Sequence, residues 1–96
     1  MLDPFTLQTF TPLVGTSFRV QAAADRAVEL ALTAARSRSP TGNPFSLVFA
    51  GPRQPVLPQA TYPFEHGTLG RFDLFICPIG QSATNTSYEA VFNRMP

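Results

Sequence analysis

Hydrophobic and polar residues alternate along several short segments of the chain, and this alternation predicts β-strands. From Ser17 to Ala22 every second residue is apolar, which is the spacing of one strand face. Similar runs, rich in aromatic and β-branched residues, follow at Phe45–Ala50, Thr61–His66, Arg71–Pro78 and Tyr88–Arg94. Gly, Pro, Asn and Ser residues lie between the runs and are typical of turns. The pattern therefore predicts a mainly β protein.

The segment from 22 to 36 is the ambiguous part of this pattern. Its alanine content, with Asp25 as a candidate N-cap, is typical of a helix. A helix, however, would leave Leu30 away from its apolar face. A strand would instead place four apolar residues on one face: Val28, Leu30, Leu32 and Ala34. We therefore favour a strand, with a helix as the alternative.

The first residues of the chain have the spacing of a short helix. One helical face would carry Leu7, Phe10 and Val14. Thr6 is a candidate N-cap, and Gly15 is a candidate terminator. Pro12 would interrupt a longer helix, because proline lacks the backbone N–H that the helix needs. The segment therefore predicts a short helix or a helical turn.

These elements predict a small antiparallel barrel or sandwich of about six strands with a short N-terminal helix or helical turn. A length of 96 residues fits one small β domain over residues 1–96. Pro63 cannot donate to a strand ladder, so its segment is expected at a sheet edge or in a short strand. The predicted core is Phe18, Val20, Val28, Leu30, Leu32, Leu47, Phe49, Tyr62, Phe64, Phe72, Leu74, Ile76, Tyr88, Ala90 and Phe92.

A second set of apolar residues lies opposite this core on the same strands. Its members are Val48, Phe75, Cys77, Ile79 and Val91. One interpretation is that the N-terminal segment, with Leu7, Phe10 and Leu13, folds over them as a second layer. The other is a surface for a protein partner or for self-association, since exposed apolar patches usually mark interfaces. The two interpretations are compatible.

Composition excludes several classes of protein. The net charge is +1, and the seven basic residues, all Arg, are dispersed, so a nucleic-acid partner is not expected. Cys77 is the only cysteine, which excludes an intrachain disulfide framework. No signal peptide and no long apolar run are visible, so we expect a cytoplasmic protein without a membrane partner.

Candidate chemistry is sparse. His66 is the only histidine, and alternation turns it away from Glu65. No ligand spacing for a metal, no phosphate loop and no nucleophile motif is present. We therefore expect a protein that is not an enzyme and uses no cofactor. The alternative is a small-ligand binding β-barrel whose mouth is lined by Tyr62, His66, Arg71 and Asp73.

Five short blocks of the sequence also have a characteristic order. They are Val14–Phe18 with Phe10 before it, Phe45–Pro52, Gln59–Tyr62 followed by His66 and Leu69–Gly70, Leu74–Gly80 and Tyr88–Asn93. In order and spacing they resemble a small bacterial family that is known only as a domain of unknown function. Members of that family accompany phage-tail-like genes, so the resemblance implies an assembly or adaptor role and no catalytic residues. Our first hypothesis is a non-enzymatic protein-interaction or assembly module, with self-association as one form of it.

Overall fold

Six antiparallel strands close into a barrel in this computed structural model, which describes residues 7–37, 45–54 and 56–92. A helical turn at Leu7–Phe10 continues as a 3₁₀ turn at Thr11–Leu13. The strands are β1 (Ser17–Ala23), β2 (Arg26–Ser37), β3 (Phe45–Pro52), β4 (Ala60–His66), β5 (Gly70–Gln81) and β6 (Asn85–Phe92). The mainly β prediction is confirmed, and of its two forms the closed barrel is the one observed. The predicted N-cap, Thr6, lies outside the described residues.

The strand order around the barrel is β1, β2, β3, β6, β5, β4, and β4 closes against β1. The first four strands form a Greek key, because the segment after β3 returns the chain to the free side of β1. Strands β4, β5 and β6 are then consecutive antiparallel neighbours. This order places β5, β6 and β3 side by side.

The ambiguous segment from 22 to 36 contains strand β2, so the favoured prediction of a strand is confirmed. Val28, Leu30 and Leu32 point into the barrel and are buried, so packing against other strands overrides the helical propensity of the alanines. One detail of the prediction is wrong, because a bulge between Leu32 and Ala34 shifts the register. After the bulge Ala35 pairs with Leu47 and packs against the core, and Ala34 is no longer on the core face.

Pro63 lies in a strand that is paired on both sides, so the expectation of a sheet edge is wrong. β4 pairs with β5 over its whole length, from Ala60 to His66. On its other side only two residue pairs join it to β1, Arg19 with Glu65 and Val20 with Phe64. The closed barrel thus has one sparsely paired border, between β1 and β4. Proline is tolerated in β4 because few ladder bonds join this strand to β1.

The barrel interior contains the predicted core. Of the predicted residues, Phe72 and Phe92 are half-buried and pack against the others, which are buried. The structure adds three buried residues that the sequence analysis missed: Phe10, Phe45 and Leu57. Phe45 lies on the same strand face as Leu47 and Phe49. Leu57 comes from the segment that connects β3 to β4.

Phe10 contradicts the first of the two interpretations, in which the N-terminal segment covers the outer apolar residues. Its ring is fully buried among four other rings, at centroid distances from 5.7 to 6.5 Å: Phe18, Phe45, Phe72 and Phe92. Leu13 is half-buried against the same core. The helical turn therefore completes the barrel interior instead of forming a layer outside it. The side chain of Leu7 lies outside the described part of the chain.

Replacing Phe10 with alanine should destabilise the protein strongly. The substitution leaves a cavity among four rings, and such changes cost roughly 3–5 kcal/mol. Gln8→Ala is the matched control, because Gln8 is exposed in the same helical turn. Denaturant unfolding followed by circular dichroism measures both variants. Equal midpoints for the two would contradict the placement of Phe10.

Gly51 and Gly80 form a second matched pair. A Cβ atom on Gly51 would overlap Leu30 Cδ2 and contact Tyr88 Cε1 at 3.5 Å, whereas one on Gly80 would meet nothing within 4 Å. Because Leu30 is fully buried, Gly51→Ala should cost about 1–3 kcal/mol. Gly80→Ala should change the free energy of unfolding by about 0.5 kcal/mol or less. Thermal unfolding of both variants tests this difference.

Candidate functional site

The four residues predicted to line a ligand mouth lie on two sides of the barrel wall. Tyr62 and His66 point into the barrel and are buried. Arg71 and Asp73 are exposed on the outside of β5. Strand alternation is the reason, since Arg71 pairs with the outward Glu65 and not with an inward residue. The structure therefore does not bring the four together in one mouth.

Tyr62 anchors the connection that leads into β4. Its hydroxyl donates a hydrogen bond of 2.6 Å to the Pro58 carbonyl oxygen. Desolvation raises the pKa of Tyr62 above its usual value, and the neighbouring Tyr88 raises it further. The phenol is therefore neutral at ordinary pH. Tyr88 holds the same connection, because its hydroxyl accepts a 2.9 Å hydrogen bond from the Leu57 backbone N–H.

His66 is held by a chain of hydrogen bonds at one end of the barrel. The Thr68 backbone N–H donates to Nδ1 at 3.0 Å, so Nδ1 is an acceptor and the ring proton is on Nε2. Nε2 is 3.0 Å from Thr16 Oγ1, which in turn donates to the Leu13 carbonyl oxygen at 2.7 Å. The ring also packs on Phe18, with centroids 4.4 Å apart.

Both ring nitrogens of His66 are thus engaged within the protein. The side chain links the helical turn before β1 to the turn after β4, two segments that are 50 residues apart in the sequence. A general base needs a free nitrogen within reach of a substrate proton. In this arrangement the ring has a structural role.

A charged groove runs along the sparsely paired border between β1 and β4. It has a volume of about 320 Å³ and is lined by Arg19, Gln21, Pro63, Phe64, Glu65, Arg71, Phe72 and Asp73. Arg71 Nε lies 3.6 Å from Glu65 Oε2; the Arg71 side chain is largely in solvent and that of Glu65 is half exposed. Two arginines and two carboxylates share this groove, so it carries no net charge to select an ion. Exposed pairs of this kind contribute about 0–1 kcal/mol.

The second apolar set lies on the outside of β3, β6 and β5, three adjacent strands. We call Val48, Phe75, Cys77, Ile79 and Val91 the outer patch. Phe75 is 51% exposed, Ile79 53% and Val91 42%, whereas Val48 and Cys77 are half-buried. The helical turn does not cover them, because Phe10 packs inside the barrel. Strand alternation explains their position, since the residues between them, such as Ile76 and Ala90, form the core.

One carboxylate lies within the outer patch. Glu89 of β6 pairs directly with Val48 on one side and with Cys77 on the other. The Cys77 thiol donates towards Gln59 Oε1 at 3.3 Å. In residues 7–37, 45–54 and 56–92, no three His, Cys, Asp or Glu side chains come together as a group that could hold a metal. The described helical segments include none long and apolar enough to cross a membrane.

Residues 5–92 match the family described as Domain of unknown function (DUF6916). The chain belongs to this family. The prediction of an uncharacterised domain family is confirmed, and the match extends from the N-terminal segment to the end of β6. No curated protein and no solved structure matches the chain. The surface of this DUF6916 domain is therefore the guide to its function.

Two groups of functional interest escaped the sequence analysis. Thr16 and Thr68 are the hydrogen-bond partners of His66, but no motif links either of them to the histidine. Barrel closure brings Thr16 to the ring. Glu89 could have been placed on the outer face by alternation with Tyr88 and Ala90. Its position between Val48 and Cys77, however, depends on the strand order.

Thr16→Val should destabilise the protein through His66. The substitution keeps the shape of the side chain but leaves the buried Nε2–H without its acceptor, at a cost of about 1–3 kcal/mol. Thr61→Val is the control, since Thr61 is exposed on β4. Denaturant unfolding gives the two free energies, and nitrogen NMR of the ring should show the proton on Nε2. A proton on Nδ1 in the parent protein would contradict the hydrogen-bond chain.

Proposed function

We propose that this DUF6916 domain is a non-enzymatic interaction module that binds another protein through the outer patch. The observation that carries the proposal is the exposure of Phe75 and Ile79, each more than half exposed on one strand of a closed barrel. A partner that covers them gains about 25 cal/mol for each Å² of apolar surface removed from water. Exposed apolar side chains that adjoin one another, unlike scattered ones, are typical of interaction sites.

The filled barrel interior favours a binding site on the outer surface of the barrel. Fully buried rings occupy it, among them Phe10, Phe18, Phe49 and Phe64. A small-ligand barrel needs an interior pocket with convergent polar groups. His66 and Tyr62 instead make hydrogen bonds to their own chain. These contacts favour an interaction module over the ligand-binding alternative and over an enzyme.

We also propose what kind of partner binds the domain and in which compartment it binds. A net charge of +1 with dispersed arginines favours a protein partner over a nucleic acid. A second copy of the chain is one form of such a partner. The resemblance noted above implies assembly in phage-tail-like particles, and we place the interaction in the cytoplasm, where such particles would be built.

Photo-crosslinking tests the outer patch directly. We expect a p-benzoylphenylalanine residue at position 75, in cells that make the protein, to give a discrete adduct. The same residue at position 29 is the control, because Glu29 is exposed on β2. Adding Ile79→Ser to the position-75 protein should remove the adduct.

The mass of the adduct identifies the partner as a second copy or as another protein. Adducts of equal yield at positions 75 and 29, or none at position 75, would contradict an interaction through the outer patch. Circular dichroism of each variant confirms that the barrel is intact.

A further inference from the structure

We infer that the partner places a positively charged side chain, surrounded by apolar ones, over Glu89 in the outer patch. This inference rests on the proposed function and specifies the chemistry of the partner. One carboxylate, that of Glu89, lies on this otherwise apolar surface.

Glu89 has apolar neighbours on both adjacent strands. Val48 and Cys77 are its direct cross-strand partners, on β3 and β5. Val91 lies two residues further along the same face of β6. Continuing the β5–β6 register by two residues brings Phe75 next to Val91. Glu89 is half-buried among these side chains and has no ion-pair partner among the described residues.

A partner that covers the outer patch must remove water from this carboxylate. Burial of an unpaired charge costs several kcal/mol, which would offset much of the gain from Phe75 and Ile79. An Arg or Lys side chain on the partner offsets much of that cost through a charge-assisted hydrogen bond. Complementary charge also selects the partner, because an acidic surface would be repelled.

The size of the patch indicates a short segment of another protein. From Phe75 to Ile79 it extends about 13 Å, and across its three strands about 10 Å. This footprint is well below the roughly 800 Å² that each partner buries in a stable protein–protein interface. The five residues of the outer patch include no cation, so a second copy would have to pair Glu89 with a residue from outside its own patch, such as Arg36 of β2. The observations therefore favour a short basic and apolar segment over a second copy.

Selection from a random peptide display library tests this inference on the purified protein. We expect the parent protein to enrich peptides in which apolar residues flank an Arg or Lys. Glu89→Gln should weaken the selected peptide at least about tenfold, which equals about 1.4 kcal/mol. Glu89→Lys should enrich acidic peptides instead. Glu29→Gln, on an exposed β2 position, is the control and should bind as the parent does.

The outcomes separate this inference from the proposed function. Peptides that require Phe75 but not Glu89 would overturn the charge pairing and leave the interaction module intact. Peptides that require neither residue, or no enrichment at all, would overturn the inference. Self-association that Phe75→Ser abolishes, without peptide binding, would assign the patch to a second copy and also overturn it. Unfolding midpoints of the Glu89 variants confirm that each is folded.

Discussion

The packing of aromatic rings inside the barrel is the interaction on which the rest of the structure depends. Phe18 is at its centre and packs against Phe10, Phe49, Phe64, Phe72 and His66. Large rings fill the space within six strands economically, and each can bury about 150–250 Å². Because rings occupy the interior, the residues that remain for recognition are those that alternation turns outwards.

Strand β5 shows how this constraint shapes the surface. Its outward side chains change along the strand from charged, at Arg71 and Asp73, to apolar, at Phe75, Cys77 and Ile79. The charged part borders the groove between β1 and β4, and the apolar part belongs to the outer patch. A single strand thus carries two surfaces of different chemistry. A partner that recognises both would bind in one orientation only.

Most of the strands could be predicted from local sequence, whereas the pairing of each strand with its neighbours in the barrel could not. Alternation identified β1 and favoured a strand for β2, because it depends only on the chain itself. One of the two interpretations of the outer residues places Phe10 outside the barrel, since nothing local indicates that the helical turn enters it. Likewise, the contact of His66 with Thr16 and the position of Glu89 beside Cys77 exist only after the barrel has closed. Sequence patterns alone cannot predict a candidate site whose residues come together only when the barrel closes.

The sparse pairing between β1 and β4 makes one side of the barrel easier to open than the opposite side. Two residue pairs hold that border, while the β3–β6 border diametrically opposite is paired from Phe45 to Pro52. Local opening follows the weakest pairing, so thermal or mechanical stress would separate β1 from β4 first. The outer patch spans the β3–β6 border. A load transmitted through a bound partner would therefore reach the barrel at a continuously paired border, on the side away from the one that opens first.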